Sequence, residues 1–135
     1  MAARYMDWIG QARADLRLAC TARDTGSHEW SCFASQQAGE KALKGLFEYL
    51  GGECLGHSLT RMFQDLAGRL QIDVGLTDAA RRLDKLYIPT RYPNGFDAGK
   101  PADYFTREDA DAAISDAEKI IAWVEKHVRG PRPGD

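Results

Sequence analysis

The stretch Trp30–Leu50, WSCFASQQAGEKALKGLFEYL, decides the fold. It is the longest uninterrupted helical run in the chain. Trp30, Phe33, Ala34, Ala38, Ala42 and Gly45 fall on one line at helical spacing. Leu43, Leu46, Phe47 and Leu50 fall on a second line, displaced around the cylinder. A helix apolar on two lines packs against neighbours on two sides, as in the middle of a bundle. Gly39 and Gly45 each cost about 1 kcal/mol of helix propensity relative to Ala. Two such costs in one helix predict close helix approach or access for a ligand at those positions. Gly51-Gly52 then supplies the C-terminal stop. The same run carries Gln36, Gln37, Glu40, Lys41 and Lys44, more polar groups than a purely packing helix requires.

On the N-terminal side, Trp8, Ile9, Ala12, Leu16, Ala19 and Cys20 form one apolar stripe, which predicts a helix over 3–23. Asp24-Thr25-Gly26-Ser27 is turn chemistry, with Ser27 placed to cap the next helix. On the C-terminal side, Ser58 caps a third helix whose apolar positions are Leu59, Met62, Phe63, Leu66 and Leu70. Residues 72–76 read as a connection, and Thr77-Asp78 as the start of a fourth helix with Ala80, Leu83, Leu86 and Tyr87 inward. Pro89 ends it. The segment 89–105, PTRYPNGFDAGKPADYF, carries Tyr92, Phe96, Tyr104 and Phe105. A solvated linker would not hold four aromatics, so the segment is expected to lie against the bundle. Thr106 with Asp109 forms a capping box for a last helix striped by Ala110, Ala113, Ile114, Ala117, Ile121, Val124 and Val128. No strand alternation and no internal repeat is present. The expectation is an all-α, up-and-down bundle of about five helices, one domain over 1–128, and a disordered tail over 129–135.

At 135 residues the chain is long enough for one hydrophobic core. A net charge of −2 argues against bulk electrostatic capture of nucleic acid. Three cysteines without CxxC spacing read as free, mostly buried thiols in a reducing compartment. The N-terminus lacks the apolar core of a signal peptide, and no run approaches the roughly 18 apolar residues of a membrane span. These features point to a cytoplasmic protein with no membrane partner.

Four blocks in order carry a resemblance. Trp8, Ile9, Ala12, Asp15 and Leu16 read W-[IL]-x-x-A-x-x-D-L. Cys32 through Leu46 read C-F-x-x-Q-Q-A-x-E-K-A-L-K-G-L. His57 to Leu59 follow the glycine break as H-[SD]-L, and Tyr87, Arg91, Tyr92, Pro93 and Asn94 read Y-x-x-x-R-Y-P-[ND]. Together they resemble the HEPN family (higher eukaryotes and prokaryotes nucleotide-binding) over residues 4–128. The resemblance implies a helical bundle, usually a homodimer, with a cleft between helices. It also implies a minimal nucleotidyltransferase partner, often in a toxin–antitoxin pair, or a bound nucleotide such as ATP or GTP. Another group in the family are RNases with an R-x(4–6)-H motif. This chain departs from that group: no histidine follows Arg91 or Arg107 within six residues. Metal-independent RNA cleavage of that type needs a basic residue and a histidine converging on one phosphodiester. The departure argues against RNase activity and leaves Arg91 with His57, brought together in space, as the atypical alternative.

The candidate binding residues are Gln37, Lys41, Lys44, Arg91 and Tyr92. Lys41 and Lys44 share a helix face and are candidates to hold a phosphate, with Gln37 reading a base or sugar. The competing reading is a surface patch in which Glu40 pairs with Lys44. Arg91 offers a planar donor fork to a phosphate, and Tyr92 a face for a base. The competing reading is a loop anchor, Arg91 pairing with an acid of the last helix, because the basic 81–91 and acidic 103–118 segments should attract. His57, at a helix N-terminus, is a candidate proton donor or a fixed structural residue. His28 and Glu29 have no third partner at metal-ligand spacing, so no metal is expected. Three function classes stand: a nucleotide-binding or nucleotidyltransferase-partnered domain, an atypical RNase, and a pure protein-interaction module.

Overall fold

The computed structural model describes residues 4–129. Its helices are α1 (Tyr5–Asp24), α2 (His28–Tyr49), α3 (Leu59–Leu66), α4 (Val74–Asp84), α5 (Pro101–Tyr104) and α6 (Arg107–His127). Among the described residues there is no strand. The five expected helices are all present, and α5 adds a single turn inside the 89–105 segment. Residues 130–135 of the expected tail lie outside the described residues.

Helix α2 is the axis: it touches α1, α3, α4, α5 and α6. Thirteen of its 22 residues are buried, which is why its apolar surface needs two lines. Cross-links fix its neighbours' directions. Tyr5 packs edge-on against Tyr49, and the Ser31 hydroxyl donates to the Ala19 carbonyl at 2.7 Å, so α1 and α2 are antiparallel. Arg13 pairs with Glu125 and Arg23 with Asp111, so α6 is antiparallel to α1. Helices α2 and α6 therefore run parallel, and α3, α4 and the 85–105 segment make the return between them.

The two glycines of α2 are sites of close approach. A Cβ on Gly39 would meet Leu59 of α3 at 2.8 Å, Leu83 of α4 at 3.1 Å and Ile120 of α6 at 3.8 Å. A Cβ on Gly45 would meet the Ile9 side chain at 2.9 Å and the Tyr5 carbonyl oxygen at 3.1 Å. Both positions are spent on packing, so helix propensity lost in α2 is offset by dispersion contacts and buried apolar area.

Local chemistry sets the ends. Ser58 caps α3 as expected, accepting from the Arg61 amide. Asp84, at the end of α4, adds a second cap from outside: its carboxylate accepts from the Leu59 amide at 2.8 Å, the Thr60 amide at 3.0 Å and the Ser58 hydroxyl at 3.2 Å. An anion there also suits the positive end of the helix dipole. Thr106 and Asp109 form the expected capping box of α6. Helix α4 begins earlier than its apolar spacing indicates. Asp73 caps it through the Leu76 amide at 2.9 Å, which brings residues 74–76 into the helix instead of leaving them as a connection.

The expected attraction between 81–91 and 103–118 is realised by Arg82. Its guanidinium donates twice to Asp116, at 2.8 and 2.9 Å, and this pairing raises the Arg82 pKa further above its ordinary value. Of the cysteines, Cys32 is fully buried, and burial pushes its thiol up to about 12. Cys20 and Cys54 are free and half-buried, so one thiol, not most of the three, is inside. Trp30 also departs from expectation. It sits on the apolar line yet is 53% exposed, because it stands in the wall of an open groove between α1 and α2.

Two glycine substitutions should separate packing from propensity. Gly45→Val should lower the unfolding free energy by about 2 kcal/mol, through overpacking against α1 backbone. Gly10→Ala, in the exposed face of α1 where a Cβ meets nothing within 4 Å, should raise it by about 0.5–1 kcal/mol. Urea denaturation at equilibrium reads both.

Candidate functional site

The polar residues of α2 form a ladder at four-residue spacing, Gln36, Glu40 and Lys44, on one face of the helix. Glu40 is its centre and is only 4% exposed. Burying a carboxylate requires partners for its oxygens. Its Oε1 accepts from Gln36 Nε2 at 3.2 Å and lies 3.1 Å from His57 Nδ1, while its Oε2 accepts from Lys44 Nζ at 3.1 Å. The Gln36 amide also donates to the His57 carbonyl at 3.4 Å. Glu40 thus ties α2 to the loop before α3.

An ionised carboxylate only accepts, so this bond places the proton of a neutral His57 ring on Nδ1. Nε2 is then the nitrogen left to take or give a proton. The imidazole is half exposed and stacks on Tyr87, centroids 4.3 Å apart and planes 20° apart. With Ser58 and Asp84 these two rings line a shallow pocket of about 260 Å³.

Tyr87 links His57 to Arg91. The guanidinium carbon of Arg91 lies 4.5 Å from the Tyr87 ring centroid, 4.4 Å from that of Phe33 and 5.1 Å from that of Tyr92. Its Nε donates to the Tyr87 carbonyl at 2.8 Å. Three aromatic faces and a carbonyl hold the planar cation by cation–π attraction and one hydrogen bond. Among the described residues Arg91 makes no ion pair, so the expected anchor to an acid of α6 is not what fixes it; Arg82 takes that part. Tyr92, 48% exposed, extends the aromatic surface outward.

The lysines stand differently. Lys41 is ion-paired with Asp15 of α1 at 2.6 Å, and Lys44 with Glu40. Lys44 also lies 5.8 Å from the Trp8 ring centroid. Each lysine is committed to its own carboxylate. Gln37 donates to the Gln36 side-chain oxygen at 2.8 Å and lines a groove of about 430 Å³ between α1 and α2. Among the described residues no cluster of three or more His, Cys, Asp or Glu side chains could hold a metal ion.

His57 and Arg91, distant in sequence, are therefore brought onto one tyrosine, while Lys41 and Gln37 face the α1–α2 groove. Glu40, Tyr87 and Phe33 are the residues that sequence reasoning passed over as site members. The four-residue ladder around Glu40 was a usable signal. Nothing in the sequence indicates that His57 returns to it.

The HEPN domain model matches residues 5–127, and the chain belongs to the HEPN domain family. It is similar to the crystal structure of TT1696 from Thermus thermophilus, with 44% identity, a TM-score of 0.90, and coverage of 93% of this chain and 98% of that one. It is also similar to ST0689, an archaeal HEPN homologue, at 39% identity and a TM-score of 0.80, covering 96% of this chain and 100% of that one. A relative from Methanocaldococcus jannaschii named "Putative toxin MJ1304" is 24% identical over 131 residues, covering 90% of this chain and 86% of its own length.

Removing the central carboxylate tests its structural share. Glu40→Ala strands Lys44, whose side chain is only 15% exposed. It should lower stability by about 2–4 kcal/mol. Glu40→Gln keeps an acceptor and should lose less. Thermal and urea denaturation of the two variants give the comparison.

Proposed function

We propose that this protein is the HEPN member of a toxin–antitoxin-like pair, with a minimal nucleotidyltransferase as its partner, and that it binds a nucleotide through Arg91. The observation that carries the ligand is the state of Arg91. It is a half-buried cation without an ion pair among the described residues, held flat by Phe33, Tyr87 and Tyr92. A guanidinium so held presents donors in a fixed fork that suits a phosphate. Lys41 and Lys44 already have carboxylates, so the phosphate site centres on Arg91 and not on the α2 lysines. The relative named as a toxin supports the pairing with an antitoxin, and a neighbouring gene for a minimal nucleotidyltransferase is the expected setting. A homodimer in the cytoplasm completes the reading.

Calorimetric titration with ATP, GTP and their monophosphates tests the ligand. Binding should weaken by about 10-fold or more in Arg91→Ala, in keeping with the loss of a charge-assisted hydrogen bond. No heat with any nucleotide would overturn it.

A second reading has one specific observation behind it. Glu40 orients His57, and His57 shares the Tyr87 ring with Arg91. An oriented imidazole and a guanidinium on one tyrosine ring suit metal-independent transesterification of RNA: the 2′-hydroxyl attacks the phosphorus as His57 Nε2 takes its proton, the P–O5′ bond breaks and the 5′-oxygen receives that proton, and Arg91 stabilises the charge on the phosphoryl oxygens. On this reading the chain cleaves labelled tRNA or mRNA in the presence of a chelator, and His57→Ala abolishes the cleavage. Intact RNA, or cleavage unchanged in that variant, sinks it.

A further inference from the structure

The α1–α2 groove is unused by either reading. Leu18, Ala22 and Ala34 give it apolar lining, and Trp30 and Phe33 stand in its wall with centroids 6.1 Å apart. Leu18 is 59% exposed and Trp30 53%, so a large aromatic and a large aliphatic face solvent together. We infer that this groove is the base subsite of a nucleoside phosphate whose phosphate lies on Arg91, with the base stacked on Trp30. The inference rests on the nucleotide reading above and deepens it.

Four observations support it. Phe33 belongs to both places: it lines the groove, and its ring centroid is 4.4 Å from the Arg91 guanidinium carbon. The steps from Trp30 to Phe33 and from Phe33 to Arg91 keep the two subsites within reach of one nucleotide. Charge then sets the direction in which the ligand lies. The charged groups that line the groove, Asp15 and Lys41, neutralise each other at 2.6 Å, and the Asp15 carboxylate would repel a phosphate. Arg91, which makes no ion pair among the described residues, is at the Phe33 side. A ligand with a flat apolar body and an anionic end matches that arrangement. Gln37 supplies the polar edge. Its amide nitrogen spends one donor on Gln36, which leaves its carbonyl oxygen and second N–H to address a base. The volume, about 430 Å³, is within the ordinary range of small-ligand pockets.

The test uses the full chain and two probes, ATP and inorganic tripolyphosphate, titrated into wild type, Trp30→Leu, Trp30→Phe and Arg91→Ala. Trp30→Leu should weaken ATP about tenfold, the size of one lost base stack, and leave tripolyphosphate unchanged. Trp30→Phe, which keeps an aromatic face, should lose less. Arg91→Ala should weaken both probes. If Trp30→Leu binds ATP as wild type does while Arg91→Ala loses both, the base subsite is overturned and the phosphate reading survives. If wild type binds neither probe, both fall. If Trp30→Leu changes the mass measured by light scattering but not ATP affinity, the groove is an interface between copies, which also overturns the inference.

Discussion

The fold depends on how closely helices approach α2 at two glycines. At Gly39 side chains from α3, α4 and α6 converge within 4 Å of where a Cβ would stand, and at Gly45 the backbone of α1 does. An alanine line, Ala34, Ala38 and Ala42, continues the narrow surface. With neighbours this near, the face of α2 bearing Gln36, Glu40 and Lys44 is itself largely enclosed. Its polar atoms must then find partners within the protein. The buried ladder is thus a consequence of the packing as much as of the residues that compose it.

That enclosure explains the division of charge in the site. Glu40 is satisfied by three side chains, and in meeting its demand it consumes Lys44 and orients His57. Asp15 consumes Lys41 in the same way. Of the candidate cations Lys41, Lys44 and Arg91, Arg91 makes no ion pair among the described residues and is supported by rings in place of carboxylates. Ion pairs make poor anion receptors because the partner carboxylate repels an incoming phosphate. An aromatic cradle holds the guanidinium without cancelling its charge. The site's polarity follows from which cations the fold has already neutralised.

Much of the fold could be read in the chain because its signals are local. The α6 capping box, the Ser58 cap and the stripe of α1 each rest on residues a few positions apart, and each is found in the structure. Where reading failed, apolar spacing was followed past a local cap or beyond what it can show. Residues 74–76 are helical because Asp73 caps them, although the apolar spacing that marks α4 becomes clear only later. Trp30 lies on the right line but opens onto the α1–α2 groove, so periodicity alone made it core. The 89–105 segment was expected against the bundle, and Pro101 is buried and Phe105 packs on the core, while Tyr92 and Tyr104 remain half exposed. Phe96 stacks on Tyr104 at 4.1 Å, so part of that aromatic content stabilises the loop itself.

The sequence by itself determined the helices, the caps of α3 and α6, the small-residue surface of α2 and the family, because all of these are written in spacing and residue type; Ser27, expected to cap α2, stands at its N-cap without a side-chain cap bond. It also named Arg91 and His57. Only the tertiary structure decided what those residues are to one another. His57 and Arg91 are joined through Tyr87, and Lys41 and Lys44 are ion-paired with Asp15 and Glu40. The reason is physical: an ionisable side chain's role is set by the charges and rings within a few ångströms of it. Those neighbours come from α1, α2 and the loops beside α3 and α4, which no local pattern brings together.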